Sequence, residues 1–250
     1  MSPSTLLEHP EQLSRIDQGY LVAWGRREVL RVASGGILLV GLLVALALVH
    51  SAYWLLLLLV VVPVALFLVL FFRNPRRRIP GGPGLLVSPA DGTVADITEV
   101  EEVDFIGAPA IRIGIFLSVF NVHVNRAPAR GRVEWVCHRK GAYHDARSEA
   151  AARENEANSI GLVYDDRGGP EGLRILVRQI SGAIARRIVC PLTSGESVER
   201  GGLIGMIKYG SRTELYIPVS AGVDVGVEVG HKVKGGTTVL ASWPVAGLGE

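Results

Sequence analysis

VASGGILLVGLLVALALV (residues 32–49) and YWLLLLLVVVPVALFLVLFF (residues 53–72) stand three residues apart and set the architecture of this 250-residue chain. Each run is long enough to cross a bilayer as a helix, and neither holds a charge. Only His50, Ser51 and Ala52 part them, so the pair reads as a tight transmembrane hairpin. Tyr53 and Trp54 fall at its turn, where amphipathic rings favour the membrane interface, and Pro63 is expected to kink the second helix. A cleaved signal peptide does not fit, because 31 residues precede the first run and a second run follows at once.

Charge fixes the predicted orientation. Residues 1–80 hold 8 of the chain's 26 Lys and Arg but only 4 of its 24 Asp and Glu. The other 170 residues therefore carry 18 basic groups against 20 acidic ones. The excess flanks the apolar runs, at Arg26, Arg27 and Arg31 and again at Arg73, Arg76, Arg77 and Arg78. Both ends are thus expected on the cytoplasmic side of the cell membrane, with two spans between them. The same arginines suit anionic headgroups, whereas a nucleic-acid binder would show a broad basic surface, so no nucleic-acid partner is expected.

Beyond the spans the pattern changes. Residues 1–31 are expected to form a cytoplasmic N-terminal segment, 32–72 the hairpin, 73–84 a basic, Gly/Pro-rich linker, and 85–250 one β-rich domain of ordinary size. The segments 92–97, 110–119, 132–136, 161–164, 173–180 and 213–217 are short, rich in Val and Ile, and bounded by turn residues. They predict a mostly-β (β-rich α+β) domain of short-strand sandwich or barrel type. Residues 146–157, dominated by Ala, Glu and Arg, predict the one soluble helix. Residues 201–240 alternate short strands with paired glycines and predict a local set of tight hairpins.

Several chemistries are excluded. Cys137 and Cys190 are too few for a disulfide framework and read as buried free thiols. His123, His138 and His144 lack the spacing of a metal site, so no metal is expected. The glycine-rich stretch 201–205 lacks the Lys-Ser/Thr ending of a phosphate loop.

The informative stretch is Lys208-Tyr209-Gly210-Ser211-Arg212-Thr213-Glu214. With it, in order, stand Phe72-Arg73-Asn74-Pro75, Ser88-Pro89-Ala90-Asp91-Gly92, Asn121-Val122-His123-Val124-Asn125-Arg126-Ala127-Pro128, Glu154-Asn155-Glu156 and Ala185-Arg186-Arg187-Ile188. Together they resemble the phosphatidylserine decarboxylase proenzymes, in the short bacterial and archaeal form, over nearly the whole chain. The resemblance implies self-cleavage between Gly210 and Ser211, a covalent pyruvoyl group made from Ser211, and a Schiff base with phosphatidylserine that releases CO2 and phosphatidylethanolamine. It implies His123 as base and later proton donor, with Asp91 as its orienter. It also implies a large chain (1–210) and a small chain (211–250) that stay associated, and it allows a homo-oligomer. Longer members carry a second histidine three residues on, where Arg126 stands here, and His144 is a reserve base.

The chemistry of the residues agrees. A serine hydroxyl needs a base to become a nucleophile, and glycine's missing β-carbon lets the backbone reach the attack geometry. Taken without the resemblance, His123 between Val122 and Val124 reads equally as a structural histidine, and Asp91-Gly92 as a turn. Archaetidylserine offers the same reactive atoms. A different class, a membrane-anchored biotinyl or lipoyl carrier, needs Lys208 at an exposed hairpin turn, and a third is a plain membrane scaffold.

Overall fold

The computed structural model describes residues 19–165, 169–170, 172–183, 187–208 and 211–243. They form two compact units divided between Pro75 and Arg76, inside the stretch expected to be a linker.

The first unit is a helical hairpin. Helix α1 (Arg26–Val49) starts six residues before the apolar run, because the arginines that precede the run are themselves good helix formers. Ser51 stops the turn by accepting a hydrogen bond from Tyr53 N, and a 3-10 segment, Ala52–Leu57, leads into α2 (Leu58–Leu70), which contains Pro63. The helices approach each other at Gly36, where a β-carbon would lie in ordinary contact, 3.6 Å from Ala65 Cβ. The outward faces stay apolar: Leu38 is 74% and Leu48 83% exposed. Both helical stretches, Ala23–Val49 and Ala52–Leu70, are long and apolar enough to cross a membrane. At the open end Val22 N donates to Phe72 O (3.0 Å), and the Phe72 ring fills the space a side chain at Gly25 would need.

The second unit is mostly β. In chain order its strands are β1 (Leu85–Val87), β2 (Gly92–Glu102), β3 (Ala108–Leu117), β4 (Val124–Arg126), β5 (Gly131–Arg139), β6 (Ala157–Tyr164) and β7 (Arg174–Ile180). They continue as β8 (Arg187–Val189), β9 (Ser197–Val198), β10 (Leu203–Lys208), β11 (Ser211–Pro218), β12 (Asp224–Val225), β13 (Lys232–Val233) and β14 (Val239–Ser242). Eight of them form a curled, half-barrel sheet in the order β13-β2-β3-β11-β7-β6-β5-β9. Two three-stranded sheets, β1-β14-β12 and β4-β10-β8, accompany it. Alternation of side chains along the strands sends Ile113, Ile115, Leu162, Val177, Leu215 and Ile217 into the main core. The opposite face holds a smaller cluster in which Phe105 stacks on Trp135 and Tyr216 is buried.

Three expectations need correction. The soluble helix α3 covers only Glu149–Glu154, capped by the Ser148 hydroxyl on Ala151 N (3.2 Å). Helix propensity is overridden at its end, because Asn155 turns its amide to His144 N, His144 O and Ser181 O while Ala157 starts β6. Residues 201–240 are not local hairpins. Strand β10 pairs with β4 and β8, whereas β11 pairs with β3 and β7, so consecutive strands lie in different sheets. Cys137 is exposed on β5, and Cys190 is half-buried against the core.

Candidate active site

Strand β11 lies in the middle of the eight-stranded sheet, with Ser211 opposite Leu117 of β3 and Arg212 opposite Ile180 of β7. Period-two alternation turns Ser211, Thr213, Leu215 and Ile217 to the core side and Arg212, Glu214 and Tyr216 to the other. Ser211 is fully buried, and its Oγ has no hydrogen-bond partner among the described residues. An unpaired buried hydroxyl costs about 1–3 kcal/mol, and among the described residues Ser181 and Thr237 share this state. Tyr209 and Gly210, the residue expected on the other side of the cut, lie outside the described residues, as do Ala185 and Arg186.

His123 immediately precedes β4 and is also fully buried. Its Nδ1 meets the Asn121 carbonyl at 2.9 Å. A carbonyl only accepts, so Nδ1 carries the proton of the neutral ring and Nε2 is its basic nitrogen. Asn121 is held in turn, its Oδ1 accepting from Ser118 N and Ser118 Oγ at 2.9 Å each. The His123 carbonyl accepts from Ile207 N (3.2 Å), which docks the histidine beside β10 just before that strand leads to Ser211.

Asp91 does not meet His123. Its Oδ2 pairs with Arg77 Nη2 and its Oδ1 accepts from Gly235 N, both at 2.7 Å. The Asn121 carbonyl engages the imidazole at Nδ1 instead. Arg126, where the longer family members have a histidine, is buried and donates to Gly201 O (2.8 Å). Burial, with Arg77 nearby, pushes its guanidinium down to about 10 against the opposing pull of Asp91, so it remains a cation at neutral pH. It supplies charge and offers no base. His144 is half-exposed, with Nε2 on Glu154 Oε2 at 2.9 Å. Lys208 is 4% exposed within β10, which is the opposite of what a carrier lysine at a hairpin turn requires.

Beside Ser211 lie residues whose contacts the sequence does not announce. Asn125 Nδ2 donates to Thr213 Oγ1 (2.9 Å), and Gln179 Nε2 donates to Asn125 Oδ1 (2.8 Å). On the other face of β11, Glu214 is fully buried and accepts from Arg212 Nε (2.7 Å) and Tyr216 Oη (2.5 Å). Their signal in the sequence is a polar residue at an inward position of an otherwise aliphatic strand, visible only once the strand faces are known.

A buried serine hydroxyl on a central strand, unpaired among the described residues, with a buried histidine on the chain segment packed beside its approach, is a site for nucleophilic chemistry on the backbone or a substrate carbonyl. Comparison with known proteins narrows that class. A family model described as phosphatidylserine decarboxylase matches residues 64–241. The phosphatidylserine decarboxylase proenzyme of Carboxydothermus hydrogenoformans is 48% identical over 175 residues, covering 70% of this chain and 79% of that protein. That of Rhodopirellula baltica is 45% identical over 199 residues, covering 79% of this chain and 80% of its own. That of Symbiobacterium thermophilum is 40% identical over 213 residues, covering 85% and 96%. These matches place the protein among the carboxy-lyases. The chain belongs to the phosphatidylserine decarboxylase family.

Proposed function

We propose that the chain cuts itself between Gly210 and Ser211 and, through the pyruvoyl group so formed, converts phosphatidylserine to phosphatidylethanolamine and CO2. The observation that carries this reading is the Ser211 hydroxyl, fully buried and unpartnered among the described residues at the head of β11. That orphaned hydroxyl fits a residue destined to become a ketone.

In the first step Ser211 Oγ bonds to the Gly210 carbonyl carbon as the peptide C–N bond breaks. The hydroxyl proton passes through His123 Nε2 to the departing amine, leaving an ester. Loss of the Ser211 Cα proton then breaks the Cβ–O bond and frees the large chain with a Gly210 carboxylate. The dehydroalanine left behind tautomerises to an imine, and water converts it to the ketone with release of ammonia. Once formed, the pyruvoyl group supplies an electron sink for the pair left by departing CO2. His123 then delivers a proton to the decarboxylated carbon, and burial keeps bulk water from that position. Asp91 acts from further out, fixing Arg77 and the backbone at Gly235 around the cationic Arg126.

Intact-mass analysis and denaturing electrophoresis test the reading. A 250-residue chain of 26.8 kDa should yield a 40-residue fragment of about 4 kDa with a blocked, ammonia-depleted start. A single uncut, unmodified chain in active material would sink it. His123→Ala should slow the cut by roughly 10²–10⁴-fold, the usual worth of a positioned base. His144→Ala, whose ring engages exposed Glu154, should cut at the wild-type rate. Normal splitting of the His123 variant moves the base role elsewhere.

The hairpin is read as two membrane spans with both ends cytoplasmic, keeping the site at the surface where its lipid substrate lies. The full chain should remain in the membrane fraction after alkaline carbonate washing. Protease added outside intact cells should leave both soluble segments untouched. Release by carbonate, or cleavage of the domain from outside, defeats this topology.

A further inference from the structure

His123 and Ser211 stand at the heads of strands in different sheets: β4 pairs with β10, and β11 pairs with β3 and β7. Among the described residues no backbone ladder joins β4 to β11; before the cut the two are linked through β10 and the chain that follows it, and after the cut side-chain contacts between them gain weight. Two residues beyond His123 is Asn125, and two residues beyond Ser211 is Thr213. Their side chains are hydrogen-bonded, Nδ2 to Oγ1, at 2.9 Å, and both residues are fully buried.

This bond ends a line of buried amides. Asn158 of β6, Gln179 of β7 and Thr213 of β11 are in register across three adjacent strands. Asn158 Nδ2 donates to Gln179 Oε1 (3.0 Å), Gln179 Nε2 to Asn125 Oδ1 (2.8 Å), and Asn125 Nδ2 to Thr213 Oγ1. Gly205, the cross-strand partner of Asn125 on β10, leaves room for the line, because a β-carbon there would lie 2.7 Å from Gln179 Nε2. Amides and a hydroxyl neither gain nor lose protons at neutral pH, so the line has no acid–base role. Aliphatic side chains would fill the same core without the desolvation cost of polar groups. What a directional bond adds over packing is a fixed distance, and a fully satisfied buried network is rigid.

We propose that Asn125 and Thr213 are positioning residues: their hydrogen bond, buttressed by Gln179 and Asn158, clamps the His123 strand to the Ser211 strand. After the cut the same bond joins the large chain to the small one and holds the head of the small chain, the former Ser211, in register with His123. This rests on the reading of Ser211 and His123 given above.

The test is the self-cleavage rate of newly made full-length chain, normalised to its folded fraction. Thr213→Val keeps the shape and removes the acceptor, and misplacement by about 1 Å should slow the cut roughly 10²-fold. Thr213→Ser restores the acceptor and should bring the rate back to within a few-fold of wild type. Should Thr213→Val fold poorly, Asn125→Ala, Thr213→Ala and the double variant decide the matter. A clamp makes the double variant no slower than the worse single one, whereas independent structural roles make the two effects multiply. Wild-type cutting by Thr213→Val, absence of rescue by serine, or multiplying effects would each overturn the clamp. Failure of the wild-type chain itself to cut at residue 211 overturns the proposed function instead.

Discussion

Ser211→Ala yields a single uncut chain with no measurable decarboxylation and with undiminished thermal stability. The first two outcomes follow from chemistry. Alanine offers no oxygen to attack the preceding carbonyl, so the cut falls to the rate of unassisted peptide hydrolysis, and no α-keto group forms. The third follows from the structure. The Ser211 hydroxyl is buried without a partner among the described residues, so its removal forfeits no hydrogen bond there. It relieves a desolvation penalty of about 1–3 kcal/mol, and the melting temperature of the variant should match or exceed that of a wild-type chain held uncut. The hole left by one oxygen in a β-strand flanked by two others is too small to offset this. Differential scanning calorimetry in detergent, beside electrophoresis and CO2 release, checks all three. A variant that loses activity because it unfolds would show that the Ser211 hydroxyl holds structure, and the catalytic reading would lose its support.

Legibility in the sequence followed the range of the interactions. The hairpin was readable because an uninterrupted apolar run is a local property, and α1 and α2 lie where the runs lie. The six expected strands were found within a few residues, because Val/Ile-rich segments between turn residues are also local signals. Residues 146–157 misled because alanine favours a helix only until a competitor appears. Here Asn155 is recruited by the backbone at 144 and 181, and β6 claims Ala157 for the sheet. Residues 201–240 misled because paired glycines suggest tight turns, whereas β10 and β11 part company into separate sheets.

The site divides in the same way. Ser211 and His123 were legible as motif residues. The partners of Asp91 are not legible, since nothing local to Ser88–Gly92 announces Arg77 or Gly235. Asn125 and Thr213 lie within motifs but without a role, and Gln179 lies outside every motif, because the bonds that join them exist only once three strands are placed side by side.

Glu214→Ala destabilises the protein by about 3–5 kcal/mol and loosens the small chain after the cut, because it strips a buried cation of its carboxylate. Glu214 is fully buried and Arg212 is 3% exposed. Arg212 Nε reaches Glu214 Oε1 at 2.7 Å, and Arg212 Nη2 reaches Asp96 Oδ2 at 2.6 Å. Gly114 of β3 makes the space, since a β-carbon there would lie 2.1 Å from Arg212 Nη2. Tyr216 Oη donates to Glu214 Oε2, and Arg178 Nη1 donates to Tyr216 Oη at 2.9 Å. Burial and the Glu214 charge hold the phenol of Tyr216 far above its usual range, so it stays a donor across the working pH range. Deleting the carboxylate leaves Arg212 dependent on Asp96 alone and Tyr216 without its acceptor. The consequence reaches function because Arg212, Glu214 and Tyr216 all belong to residues 211–250, whereas Asp96 and Arg178, with Arg112 whose Nε lies 3.8 Å from Glu214 Oε1, belong to 1–210. If the peptide bond is broken as proposed, β11 is held between β3 and β7 by its ladders, its core packing, the Asn125–Thr213 bond and these contacts. Strands β13 and β14 add pairings to β2 and β1, so the small chain is woven into the large one and the wild-type pair should separate only on global unfolding. Denaturant titration of the processed protein in detergent, with the small chain followed by size-exclusion, measures both quantities. A Glu214→Ala unfolding free energy within about 0.5 kcal/mol of wild type, the range of an ordinary surface change, would mean that the charged network on β11 contributes nothing to holding the two chains together.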